Sequence, residues 1–175
     1  MTITKIKLYL VFLFLGYFVA SAQVTETSYI YNAEELDKAI RLYDTKLINL
    51  SERKISDVIR NMPENPANDK ALMFETELDL IKGNFHIAET KLLDFIKVRN
   101  NSPFVPVAYF RIGMMHFRQE KFETATYYLN FAYETAAENY NSRHEKKNSR
   151  PDDEYYTIGH HSLYWKGIAE SQINK

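Results

Sequence analysis

The sequence predicts an all-α fold built from successive antiparallel helical hairpins, and three observations predict it. Apolar residues recur at three- and four-residue steps, as in Phe74, Leu78 and Ile81 and then Ala88, Leu92, Phe95 and Ile96, which places them on one face of a helix. Strand alternation is absent over any comparable length. The pattern also repeats: Gly83-Asn84-Phe85-His86-Ile87-Ala88, followed by Leu92 and Phe95, lines up with Glu120-Lys121-Phe122-Glu123-Thr124-Ala125, followed by Leu129 and Ala132, each pair 37 positions apart. Finally, Pro63, Pro66, Pro103 and Pro106 fall between the repeating segments, where a missing amide costs least and a helix must stop.

Taken in order, the chain opens with Lys5 and Lys7, an apolar run from Leu8 to Val19 and the small-residue site Ala20-Ser21-Ala22. This is the pattern of a secretory signal peptide over residues 1–22, and the run falls short of the ~20 apolar residues that a bilayer-spanning helix needs. The mature chain is expected to start at Gln23. Residues 23–138 form the repeat region, with units at about 32–66, 69–105 and 106–138. One period back from the clearest copy lies Ile48, Ser51, Ile55 and Val58, with the turn over 61–66 before Ala71. The Ser102–Pro106 turn lengthens the second unit by about three residues over a common helix-turn-helix repeat.

Residue sizes suit a hairpin. Gly113 and Gly167 sit on the first helix of a pair, Ala88 and Ala125 on the second, and two helices joined by a short turn approach closely only where the contact is small. Phe85 and Phe122 are expected to fill the wedge beside the turn. Residues 139–158 break the pattern: Arg143, Lys146, Lys147 and Arg150, then Asp152, Asp153 and Glu154, with almost no aliphatic residue, predict an exposed charged loop. Residues 159–175 read as the first helix of a further repeat, Leu163-Tyr164-Trp165-Lys166-Gly167 echoing Tyr109-Phe110-Arg111-Ile112-Gly113. A solenoid end normally carries a capping helix, so the expectation is that the repeat continues beyond Lys175. The alternative is that this helix docks on its own chain or on another subunit.

Composition narrows function. With 22 basic and 23 acidic side chains the net charge is −1, leaving no positive excess to hold nucleic acid or an anionic bilayer. Five Gly and five Pro are few for a sheet-rich protein, while 13 Tyr and 11 Phe supply large flat groups for helix packing or binding surfaces. Cys is absent, which removes disulfides, thiolate metal sites, thiol catalysis and lipid attachment through Cys. An exported domain stabilised by packing alone suits a bacterial periplasm or envelope. No Gly-rich phosphate loop, Gly-x-Ser-x-Gly elbow or His-Glu-x-x-His run occurs. His86, His116, His144 and the adjacent His160 and His161 lack the spacing of metal ligands. No cofactor, no metal and no catalytic activity are expected.

Residues Gly83, Phe85, Ala88, Leu92, Pro103 and Pro106 in one unit, and Tyr109, Ile112, Gly113, Phe122, Ala125, Leu129 and Ala132 in the next, resemble tandem tetratricopeptide repeats. The likeness is to the bacterial envelope group that includes the Tol-Pal-associated periplasmic coordinator and the outer-membrane assembly lipoproteins. The sequence departs from the family pattern at Thr76 and Glu120, where Gly is usual, and at His116, where Tyr is common. The resemblance implies a right-handed solenoid of antiparallel helix pairs whose first helices line a concave groove. The matching positions are Met73, Glu77, Leu80, Phe110, Met114, Phe117, Arg118, Tyr164 and Ile168. Phe110 and Phe117 could equally pack against the neighbouring unit. It further implies an extracytoplasmic scaffold that binds a protein or peptide partner in envelope assembly or maintenance. Two other readings stay open: a glycan-binding accessory protein of the outer surface, and the N-terminal part of a longer protein with a downstream functional domain.

Overall fold

The structure is a computed structural model that describes residues 33–61, 66–144 and 154–174. The signal peptide expected over 1–22, the middle of the first interrepeat turn and most of the charged loop lie outside the described residues. All regular structure among the described residues is helical: α1 (33–44), α2 (Ile48–Asn61), α3 (Pro66–Ile81), α4 (Phe85–Val98), α5 (Val105–Arg118), α6 (Phe122–His144) and α7 (Glu154–Ile173). None of these helices is long and apolar enough to cross a membrane. The chain divides into two compact units, Met1–Ala71 and Leu72–Lys175, with the division inside α3.

The 37-residue period is written into the backbone. Lys46, Gly83 and Glu120, spaced by that period, each adopt a positive φ, of 63°, 77° and 59°. In each case the following amide reaches back to the preceding helix: Leu47 to the Leu42 carbonyl, Asn84 to Asp79 and Lys121 to His116, at 2.9, 2.9 and 3.0 Å. The left-handed residue followed by this six-residue bond is the helix-ending motif that satisfies otherwise orphaned carbonyls. Each turn then starts the next helix in the same way, Ser51, Ala88 and Ala125 donating to the carbonyls of Leu47, Asn84 and Lys121. Those three small residues are fully buried, and so are Ile55, Leu92 and Leu129 one helical turn further on.

Within the first unit, Leu36 and Ala39 of α1 and Ile55 and Val58 of α2 are buried. Ser51 Oγ donates to the Ala39 carbonyl at 2.7 Å, which accounts for a fully buried hydroxyl. Glu35 pairs with both Lys38 and Lys54.

In the second unit one core gathers Met73 of α3, Leu92 and Phe95 of α4, and Val105, Ala108 and Ile112 of α5. A second gathers Ala125 and Leu129 of α6 and Ala169 of α7, flanked by Phe110, Met114, Phe117, Phe122 and Trp165. Contacts run in opposite order along α5 and α6, Tyr109 stacking on Phe131 at 5.4 Å and Phe117 meeting Phe122 edge-on at 5.5 Å. They also run in opposite order along α6 and α7, where Gly159 lies beside Tyr133 and Ala136 and Lys166 donates to Asn130 at 2.8 Å. Along α5 and α7 they run in the same order, Phe110 near His161 and Phe117 near Trp165.

Several sequence expectations need correcting. Residues 139–144 belong to α6 and 154–158 to α7, so the charged loop is shorter at both ends than 139–158. The extension of α6 adds Tyr140 and Asn141 to Ala136 and Ala137 around a small cavity of about 200 Å³ shared with Gly159 and His160. Ile81, placed on the apolar face of α3, is 46% exposed, because the helix ends there and the chain turns at Lys82-Gly83. Phe85 is 38% exposed, while Phe122 packs beside Phe117.

Candidate functional site

In the second unit a cavity of about 350 Å³ lies against α5, near the lower end of the roughly 300–1,000 Å³ range of ligand clefts. Its α5 wall follows helical spacing, with Val107, Phe110, Arg111, Met114, Met115 and Arg118, and the opposite walls come from Glu77 and Leu80 of α3, Phe85 of α4 and Ile158 of α7.

Of the positions expected in the groove, Glu77, Leu80, Phe110, Met114 and Arg118 line this cavity together. Met73 does not: only 3% of it is exposed and it belongs to the α3–α5 core. Its register on α3 points at Leu92 and Phe95 instead of outward. Phe117 is held edge-on between Phe122 and Trp165, the latter at 5.1 Å, and acts as packing. Tyr164 is 64% exposed and touches Trp165, and Ile168 is half-buried on α7, neither lining the cavity.

Arg111 was not picked out from sequence, yet it organises the site. Its Nη1 donates to the Met73 carbonyl and, at 3.1 Å, to Thr76 Oγ1, and its Nη2 lies 3.4 Å from Glu77 Oε2. The Thr76 hydroxyl itself donates to the Met73 carbonyl at 2.7 Å. Burial pushes the Arg111 pKa down, only partly offset by Glu77; the guanidinium stays charged because its ordinary value is so high. The fork is therefore fixed by α3 before any guest arrives. A signal existed for it: Val107, Phe110, Arg111, Met114 and Arg118 share one face of α5 by spacing. Ile158 carried no such signal, since its segment read as loop.

Other polar groups brace the walls. Lys91 of α4 bridges Asp79 and Glu75 of α3 at 2.8 and 3.1 Å; burial works against its ammonium, but the bonds to Asp79 and Glu75 prevail and raise its pKa. His116 Nε2 meets Glu89 Oε1 at 2.8 Å and its ring stacks on Tyr128 at 5.7 Å, while its buried Nδ1 has no hydrogen-bond partner. Burial and the nearby Glu89 carboxylate push the Tyr128 hydroxyl up. Among the described residues no three His, Asp or Glu side chains gather as a metal site would require.

Comparison with protein-family models, with curated proteins and with solved structures finds no match for this chain.

Proposed function

We propose that this chain is a non-enzymatic, exported helical-repeat scaffold that binds a protein or peptide partner in the α3–α5 cavity, in cell-envelope assembly or maintenance. The observation that carries the reading is that Glu77, Leu80, Phe110, Met114 and Arg118 line one cavity whose apolar walls are only partly buried. Aromatic, Met and Arg side chains in a concave setting are those that dominate binding energy at interfaces. Export rests on residues 1–22.

The repeat architecture proposed for this scaffold is a right-handed solenoid of antiparallel pairs resembling tetratricopeptide repeats. What supports it is the turn repeated at Lys46, Gly83 and Glu120, together with contacts that alternate in direction from α5 to α6 to α7. In such a stack each hairpin buries its apolar face on its neighbour and leaves first-helix side chains for a guest.

The test is affinity capture from envelope extract with the whole chain as bait. The wild type should retain a defined partner, and Leu80→Glu with Arg118→Ala should lose it without loss of helical circular dichroism. Equal capture by the double variant removes the cavity as the site. A second reading, glycan binding, draws on the exposed rings of Tyr127 and Tyr164, 58% and 64% accessible, since flat aromatic faces stack on sugars. Affinity gel retardation by polysaccharides that disappears in Tyr127→Ala or Tyr164→Ala would favour it.

A further inference from the structure

The cavity carries three charged groups, Glu77, Arg111 and Arg118, and their pairing is unequal. Arg111 is committed to Met73, Thr76 and Glu77. Arg118 is exposed and makes no hydrogen bond or ion pair among the described residues. It stands seven residues, two helical turns, from Arg111 on the same face of α5, about 10 Å along the axis at 1.5 Å per residue. Between them lies Met114, with Phe110 next to Arg111 and Leu80 on the α3 wall. The wall is thus a row: a neutralised arginine, an apolar step, and an unanswered arginine.

We propose that the cavity selects a peptide segment of a partner protein that carries an Asp or Glu close to a bulky apolar anchor. The carboxylate meets Arg118 and the anchor lies on Leu80, Phe110 and Met114. The inference rests on the cavity being the partner site. Seating any guest there strips water from the Arg118 guanidinium, a cost that only an opposite charge with good geometry offsets. A carboxylate does this with two parallel bonds, the arrangement for which the guanidinium fork is shaped. A lysine or arginine on the guest meets repulsion from Arg118 and finds Glu77 already engaged. A neutral guest leaves Arg118 desolvated and unpaired. The small volume admits one or two side chains of a segment instead of a folded surface.

The experiment is fluorescence polarisation on the whole chain with three fluorescein-labelled dodecapeptide pools. All share Phe and Leu three positions apart, flanked by Asp/Glu in the first pool, Ser/Gln in the second and Lys/Arg in the third. The acidic pool should bind at least ten-fold more tightly than the neutral one, and the advantage should shrink with added salt. Arg118→Gln should abolish the difference between the acidic and neutral pools, and Arg118→Glu should transfer the preference to the basic pool. Leu80→Asp should weaken every pool. Equal binding of acidic and neutral pools, or an acidic preference that survives Arg118→Gln, overturns the charge selection and leaves the cavity reading standing. Binding by none of the pools overturns both.

Discussion

Gly113 and Gly167 occupy matching positions on α5 and α7, yet their surroundings differ, and that difference yields a quantitative prediction. A Cβ on Gly113 would stand 2.7 Å from Leu129 Cγ, 2.9 Å from its Cδ2 and 3.2 Å from its backbone nitrogen. Leu129 is fully buried among Ala125, Ala169 and the aromatic flank of the second core, so it cannot swing aside. A Cβ on Gly167 meets nothing within 4 Å. Replacing either glycine by Ala gains the same helix propensity, about 1 kcal/mol, so that contribution cancels when the variants are compared. What remains is overpacking at Gly113, for which forced methylenes in well-packed cores cost typically about 1–3 kcal/mol. Gly167→Ala is therefore expected to stabilise by up to about 1 kcal/mol, and Gly113→Ala to lie about 1–3 kcal/mol below it. Urea titrations followed by circular dichroism at 222 nm measure both, with unchanged slope showing that the midpoint shift is a stability change. If the two variants unfold at the same urea concentration, α5 and α6 do not touch as closely as Gly113 implies, and the hairpin packing is wrong.

Further outcomes follow from the turns and the polar braces. Glu120→Gly should stabilise by about 0.5–1 kcal/mol, the left-handed strain of roughly 1–2 kcal/mol exceeding the chain entropy that glycine adds. Gly83→Ala should destabilise despite the open space around it, since its φ of 77° disfavours any Cβ; thermal melts of the two variants should move in opposite directions. Glu89→Ala should cost about 1–3 kcal/mol because both ring nitrogens of the buried His116 then lack partners, whereas His116→Phe removes them together and should cost less by chemical denaturation. Stability should fall at both pH extremes. The pKa of Glu35 is lowered by Lys38 and Lys54, so its contribution is present above the ordinary value of about 4.5 and fades as pH drops through its depressed folded-state value. Lys91 is raised by Asp79 and Glu75 despite burial, so its contribution is present below the ordinary value of about 10.5 and fades as pH rises through the elevated one. Glu35→Gln should flatten the acid limb and Lys91→Met the alkaline limb of a stability-against-pH curve.

The helices and their period were legible because they depend on local chemistry. Ala88, Leu92 and Phe95 on one copy, and Ala125, Leu129 and Ala132 on the next, recur in sequence and are all buried. The degenerate first copy was recoverable too, since Ser51, Ile55 and Val58 keep the spacing. What sequence could not supply was the third dimension of a turn or a wall. Lys46 and Glu120 carry no glycine to advertise their left-handed backbone. Met73 sits one period before Phe110 in sequence, yet it is buried while Phe110 lines the cavity. Equivalent positions in a repeat diverge in this way when neighbouring helices differ in what they cover. The start of α7 was hidden because its polar residues look like those of a loop, although Gly159 packs beside Ala136.

Departures from the repeat pattern are where this chain acquires its own chemistry. Ala39, Thr76 and Gly113 fall at one position of the 37-residue period, and all three are buried, so the position demands a small side chain. Ala and Gly meet that demand without polar consequence, but Thr76 brings a hydroxyl that must be satisfied in the interior. It donates to the Met73 carbonyl and accepts from Arg111, so the residue that breaks the pattern on α3 fixes the arginine on α5. His116 departs likewise and is answered by Glu89 of α4. Local rules are broken most readily where something else compensates, and here both compensations tie α5 to the helices before it. The wall bearing Arg111, Phe110, Met114 and Arg118 is thereby braced at two points by polar bonds that a purely apolar repeat would lack. A site held in this way carries Arg118 on a braced helix backbone, so the carboxylate proposed for it would order only the Arg118 side chain and not a loop as well.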